Sequence, residues 1–204
     1  MTYDWAMAKK ADRRPYRATP EQLRALASPV RIEIVGVFQS HGALAIRELA
    51  ETMGRPMDGL YHHVRLLQNV GVLRAALTRR VGKRNEVVFE LTAERFGNEV
   101  PSQTKAMKDA AVAAAAAALR LADREFGRAV LSSEKSKKVE PGEQRSAALK
   151  LSRQKSWLTD EDLDKLHGML DEIDSFLRKR LQRKQGRVFA LTTVLAPVIK
   201  RKRV

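Results

Sequence analysis

A helical spacing of apolar residues dominates the first seventy positions of the chain, and an alternating one follows. Val30, Ile34, Val37 and Phe38 share one side of a helix over residues 29–39, which His41-Gly42 stops. Just ahead, Thr19-Pro20-Glu21-Gln22 is a helix start. The threonine hydroxyl can accept from the amide three residues on, the proline needs no donor there, and Gln22 can reach back. Ser28-Pro29 repeats that signal. Ile46, Leu49, Ala50 and Met53 predict a third helix closed by Gly54, although Ala45 brings no side-chain acceptor to cap it. Pro56 can open a fourth helix with Leu60, Val64 and Leu67 at i, i+4 and i+7, ending at Asn69-Val70-Gly71. Next, Leu73, Ala75 and Leu77 alternate, as do Val87, Phe89 and Leu91. Pairing 73 with 91, 75 with 89 and 77 with 87 makes a hairpin with Gly82 at its tip.

Beyond the hairpin the pattern is helical again. Residues 103–131 contain the run AAVAAAAAA and read as one helix of high intrinsic propensity, about 43 Å long at 1.5 Å per residue. It has too little apolar bulk to be covered by an 80-residue neighbour alone, so packing against its own copy is expected, small side chains allowing close approach, with cover by the rest of the same chain as the alternative. The charged stretch SSEKSKKVEP then reads as a linker. A strand through Ala147, Leu149 and Leu151, a helix from Asp160 to Gln185 and a strand from Arg187 to Leu195 are expected after it. That last helix carries Leu163, Leu166, Leu170, Ile173, Leu177 and Leu181, with acids in its first turn and cations in its last, as the helix dipole favours. Trp157, Met169, Phe176 and Phe189 are expected to fill a core there, an effector pocket being the alternative use.

Charge alters this picture. The 204 residues hold 39 Lys+Arg against 24 Asp+Glu, a formal net charge of +15, which favours polyanionic partners through counterion release. A 44% hydrophobic content supports a packed core. The absence of cysteine excludes disulfide frameworks, thiolate catalysis and sulfur-ligated metals. The most apolar stretch, Ala110 to Leu119, is far shorter than the roughly 20 residues that span a bilayer, and residues 1–15 lack the apolar core of a secretory signal. A cytoplasmic protein with no membrane contact is the expectation.

With Leu60, Val64 and Leu67 turned inward, the outward set of the fourth helix is Met57, Asp58, Tyr61, His62 and Arg65, without bulky aliphatics at its start. Such a helix can enter the roughly 12 Å major groove of duplex DNA. Arg65 and His62 suit a guanine edge or a phosphate, Tyr61 a phosphate or thymine methyl, and Asp58 a cytosine amine. Arg47 and Arg55 would flank the groove near the backbone. Arg79, Arg80, Lys83 and Arg84, around the hairpin tip, would reach adjacent phosphates or the minor groove.

Residues 22–92 resemble the ArsR-type winged helix-turn-helix repressors. The resemblance rests on QLRALASPVRIEIVGVF for the opening helix pair, IRELAETMG for the positioning helix, DGLYHHVRLLQNVGVL for the recognition helix and wing start, and FELTAERF for the strand exit. It implies a DNA-binding repressor, and the remaining chain more loosely resembles the dimerising regions of larger-bodied members. Two departures stand out. The cysteine metal sites of arsenic and cadmium sensors cannot form, and Gly59 replaces the usual small hydroxyl residue near the groove. Histidine offers no metal site in their place. His62 and His63 point about 100° apart on a helix, and His63 reads as a packed, hydrogen-bonded residue on its inner edge.

The expected fold is mainly α with small β. A basic arm (1–18) precedes a winged helix-turn-helix domain (19–96), a long dimerisation helix (97–131), a linker (132–144), a strand-helix-strand unit for dimerisation or an effector (145–197), and a basic tail (198–204). No phosphate loop or nucleophile elbow is present, and the acids at 160–164 are explained by helix capping, so neither an enzyme nor a cofactor is expected. A homodimeric regulator on a pseudo-palindromic operator is the reading, with repression as its expected mode. The rivals are an architectural or RNA-associated basic protein and a winged helix retained only for protein contacts.

Overall fold

The capping box at the start of the first helix among the described residues forms as its residue types dictate. In the computed structural model, which describes residues 18–93, 104–135, 149–182 and 185–199, Thr19 Oγ1 accepts from the Gln22 amide at 3.2 Å. Gln22 Oε1 accepts from the Thr19 amide at 2.9 Å, starting α1 (Pro20–Leu26). Gln22 is buried, and its Nε2 donates to the Val70 carbonyl at 3.1 Å. One side chain therefore caps the first helix and fastens the far end of the fourth. The expected basic arm and tail lie outside the described residues, apart from Ala18 and residues 198–199.

Helix α2 (Pro29–His41) follows, then the two-residue strand β1 (Leu44–Ala45), α3 (Ile46–Met53) and α4 (Asp58–Asn69). The missing cap of α3 is supplied from within it. Glu48 Oε2 accepts from the Ala45 amide at 2.9 Å, while β1 holds Ala45 extended by pairing with β3 (Arg84–Leu91). Gly54 ends α3 at φ 60°, a left-handed position that a side chain would strain. Four residues, 54–57, make the turn. Pro56 precedes α4 rather than opening it, because Met57 intervenes with helical dihedrals and its carbonyl accepts from the Leu60 amide.

Strand β2 (Leu73–Val81) and β3 form the hairpin, and the antiparallel sheet has the order β1-β3-β2. The expected register holds at Leu73↔Leu91 and Ala75↔Phe89 and then slips, since Leu77 faces Val88 rather than Val87. An irregularity between Ala75 and Leu77 adds one residue to β2, shifting every pairing beyond it by one. Val81 faces Arg84, leaving Gly82-Lys83 as the turn. Gly82 has φ 60° at the first central position, where two-residue hairpins that match strand twist need glycine.

The core lies between α1–α4 and the sheet. Ile34, Leu49, Leu60, Val64, Leu67, Val72 and Leu73 are each 1% exposed or less. The five on helices are inward positions that helical spacing assigns, Leu73 belongs to the alternating strand, and Val72 joins them from just ahead of β2; this layout is a mainly helical fold with a small sheet and a wing-like hairpin, fitting a winged helix.

The long helix α5 (Lys105–Lys135) corrects one expectation. It does not await a second copy for all its cover: Ala110, Ala117 and Leu121 are buried, Ala114 packs against the core, and the helix lies on α1 and α2. Alanines suit that face because they let a backbone approach closely. The opposite side is open, with Val112, Leu119 and Phe126 exposed at seven-residue intervals. The helix also runs four residues into the expected linker.

The C-terminal unit differs more. α6 (Asp160–Arg178) begins with a capping box, Thr159 with Asp162, and ends seven residues before Gln185. At its end the Arg180 amide bonds the Leu177 carbonyl three residues back, and Arg180 Nη1 donates to the Phe176 carbonyl at 2.8 Å. Neither flanking strand forms among the described residues: 149–151 and 187–195 have no ladder partner, and 145–148 lie outside them. A strand is stabilised by the strand beside it, and none is present here. Nor is there a local core, because Trp157, Met169, Phe176 and Phe189 are all exposed and α6 buries no residue.

Candidate nucleic-acid interface

Helix α4 hides Leu60, Val64 and Leu67 and presents Asp58, Tyr61, His62 and Arg65 to solvent. Its outward residues line a groove with Ile46 and Arg47 from α3 on one side and Asn85, Glu86, Val87 and Phe89 of β3 on the other. Three polar residues of this groove are not among those the sequence names: Gln68, Asn85 and Glu86. Gln68 continues the 58, 61, 65 spacing by one more step and is legible from it, whereas Asn85 and Glu86 enter only through the observed hairpin register. A Cβ built on Gly59 meets nothing within 4 Å, so the missing hydroxyl residue leaves open space rather than a packed contact.

The cations named from the sequence fall into two groups. Arg65, Lys83 and Arg84 are exposed, with no ion pair among the described residues, and Arg80 bonds only its own turn, Nε to the Gly82 carbonyl at 3.2 Å. Arg47, Arg55 and Arg79 are engaged. Arg55 Nη2 lies 2.8 Å from Glu33 Oε2, tying the turn before α4 to α2. Arg47 meets Glu51 at 2.9 Å and Glu86 at 3.1 Å, and Arg79 meets Glu86 at 2.9 Å and Glu48 at 2.7 Å.

The result is a chain of five side chains, Glu51, Arg47, Glu86, Arg79 and Glu48, that fastens the wing to α3. Three carboxylates against two guanidiniums leave this chain one negative charge in excess. It exists because the slipped register sets Arg79 opposite Glu86 rather than Asn85. Exposed pairs contribute little singly, about 0–1 kcal/mol each. Their geometric effect is larger, since they tie the hairpin to α3, and both elements border the same groove. Arg47 and Arg79 thus position the groove, and any phosphate contact they make competes with carboxylates already in place.

Glu48 links this network to acid stability. Burial pushes its pKa up, but the Ala45 amide and the Arg79 and Arg47 guanidiniums outweigh that and hold it below the ordinary value. A depressed folded-state pKa stabilises the fold above the unfolded value, near 4.3, and that stabilisation fades as pH falls through the folded value. The urea midpoint of Glu48→Gln should therefore fall short of the parent's at pH 7, and the gap should close below about pH 4.

His63 is half-buried on the inner edge of α4. Its Nδ1 has no hydrogen-bond partner among the described residues, so only the packing half of the expectation is met. Burial, then Arg31, His62 and Arg55, lower its pKa and so favour the neutral ring.

A family model described as helix-turn-helix domain matches residues 26–75, from the end of α1 into β2. That span contains both helices of the turn and the whole outward face of α4, and it supports a DNA-binding regulator of helix-turn-helix type. The comparison with curated proteins gives no match. Among the described residues, no helix is long and apolar enough to cross a membrane.

Proposed function

We propose that the protein is a sequence-specific regulator of transcription that binds duplex DNA as a homodimer, in the repressor manner of the ArsR-type proteins its domain resembles. The carrying observation is the two-sided α4: Leu60, Val64 and Leu67 within the core, and Asp58, Tyr61 and Arg65 on a groove bordered by an exposed cationic hairpin tip. In this reading Arg65 and His62 bond a guanine edge or phosphate, Asp58 accepts from a cytosine amine, and Tyr61 meets a phosphate or thymine methyl. Met57 packs at the groove margin. Arg80, Lys83 and Arg84 hold adjacent phosphates, while Arg47, Arg55 and Arg79 act mainly through the elements they fasten. Dimerisation through α5 is supported by its open seam, Val112, Leu119 and Phe126, which repeats every seven residues as a helix pair requires. Helix-turn-helix domains are typically non-enzymatic, and binding alone accounts for the groups assembled here.

The test is selection from random duplexes followed by footprinting. A homodimer should protect two half-sites related by a dyad and centred one helical turn, about 34–36 Å, or a multiple of it apart. An architectural or RNA-associated protein would give no half-site periodicity, and a protein-contact module no salt-dependent duplex binding. On a selected site, Arg65→Ala should lose about 1–3 kcal/mol of base discrimination per half-site. Competition against single-base variants measures it, and full discrimination by the variant would remove Arg65 from the reading role.

A further inference from the structure

Helix α6 is capped, regular and 19 residues long, yet it buries nothing. Helices of that length are marginal in water without tertiary cover. Its apolar residues Leu163, Leu166, Leu170, Ile173 and Leu177 step by 3, 4, 3 and 4, the spacing of a seam that packs against another helix. Met169 and Phe176 widen that face, 60% and 55% exposed. Its charge is polar along the axis: Asp160, Glu161, Asp162 and Asp164 occupy the start, and Arg178, Lys179 and Arg180 the end. Two copies side by side in the same direction would set acid against acid and cation against cation. In opposite directions each acidic start meets a cationic end.

We propose that α6 pairs antiparallel with α6 of a second copy of this chain, a contact separate from the α5 seam that completes the same homodimer. The pairing rests on the homodimer reading and adds its second interface. Layers of an antiparallel pair join the two kinds of seam position, and charge matching selects the register. Leu166 packs on the partner's Leu177 and Leu170 on the partner's Ile173, which brings Asp164 level with the partner's Lys179.

The lack of cysteine makes the test direct, since an introduced thiol has no native competitor. Full-length Leu166→Cys and Leu177→Cys chains carrying different tags are mixed, oxidised and examined for bonds between differently tagged chains, with sedimentation on the parent in parallel. Positions 166 and 177 lie about 16 Å apart on one helix, too far to bridge within a chain. The mixed pair should cross-link, and each variant alone should not. Same-position cross-links would mean a parallel pair and overturn the proposal. A parent that sediments as a dimer without the mixed cross-link would overturn the α6 contact and leave the homodimer standing, with α6 seated elsewhere, such as on α5. A monomeric parent would overturn both. If either leucine variant loses helical circular dichroism, Met169→Cys with Phe176→Cys, both at exposed positions flanking the seam, gives the same readout.

Discussion

Replacing Lys83 and Arg84 together by alanine should weaken binding to every duplex, selected or random. If each protomer neutralises about four phosphates, the dimer has Z near 8 and a slope of log K on log salt near −7. The double variant removes two cations per protomer, four per dimer, and should flatten the slope to about −3.5. At 0.1 M salt that is a loss of roughly 10³-fold. These side chains are exposed at the hairpin turn, and in the proposed docking they meet phosphates rather than base edges, so the effect should be uniform. Neither residue has an ion pair among the described residues, so their removal leaves no orphaned carboxylate and the fold should be unchanged. Titration by fluorescence anisotropy between 50 and 300 mM salt checks the slope, for which about −3.5 is the expected value.

Leu67→Ala should be the most damaging single substitution on α4. Leu67 is fully buried among the residues that join α4 to α2 and the sheet. Truncating such a leucine removes its transfer free energy and leaves a cavity, about 2–5 kcal/mol in all, against a typical total of about 5–15. The helix would lose its seat as well as the domain its stability, so DNA binding should fall with the folded fraction. Urea denaturation measures the first effect, and binding at a temperature where the variant stays folded measures the second. Arg65→Ala, on the outward face of the same helix, should leave the unfolding free energy from urea titration within about 0.5 kcal/mol of the parent's, as exposed substitutions do. The contrast separates a residue that holds the helix from one that uses it.

The two faces of α4 were legible because one requirement, that a short helix hide its aliphatic side, fixes both at once. The capping box at Thr19 and the turn at Gly82 were legible for the same local reason: few residue types satisfy them. The five-membered network from Glu51 to Glu48 was not. It depends on the extra residue between Ala75 and Leu77, and alternation fits two registers equally until the hairpin is laid against α3. Arg47 and Arg79 therefore read as free cations in the sequence and are paired in the fold. The cap of α3 was hidden similarly, since Glu48 supplies from inside the helix what Ala45 lacks. By its apolar bulk α5 looks too thin to be covered by its own domain alone, but alanine packs by proximity rather than bulk: Ala110 and Ala117 are buried, Ala114 packs on the core, and the helix lies on α1 and α2. In the C-terminal unit, apolar alternation marks residues fit for a sheet without supplying the neighbouring strand.

The central claim, that the outward face of α4 enters the major groove, is tested most directly by cutting DNA from that face. In this cysteine-free chain, Met57→Cys at the start of α4 can carry a single iron chelate, with Ser132→Cys at the far end of α5 as the control. On a selected site, Met57→Cys should cut at two places related by the operator dyad, each within a protected half-site, and Ser132→Cys should not. Cutting no different from that of Ser132→Cys would contradict the claim.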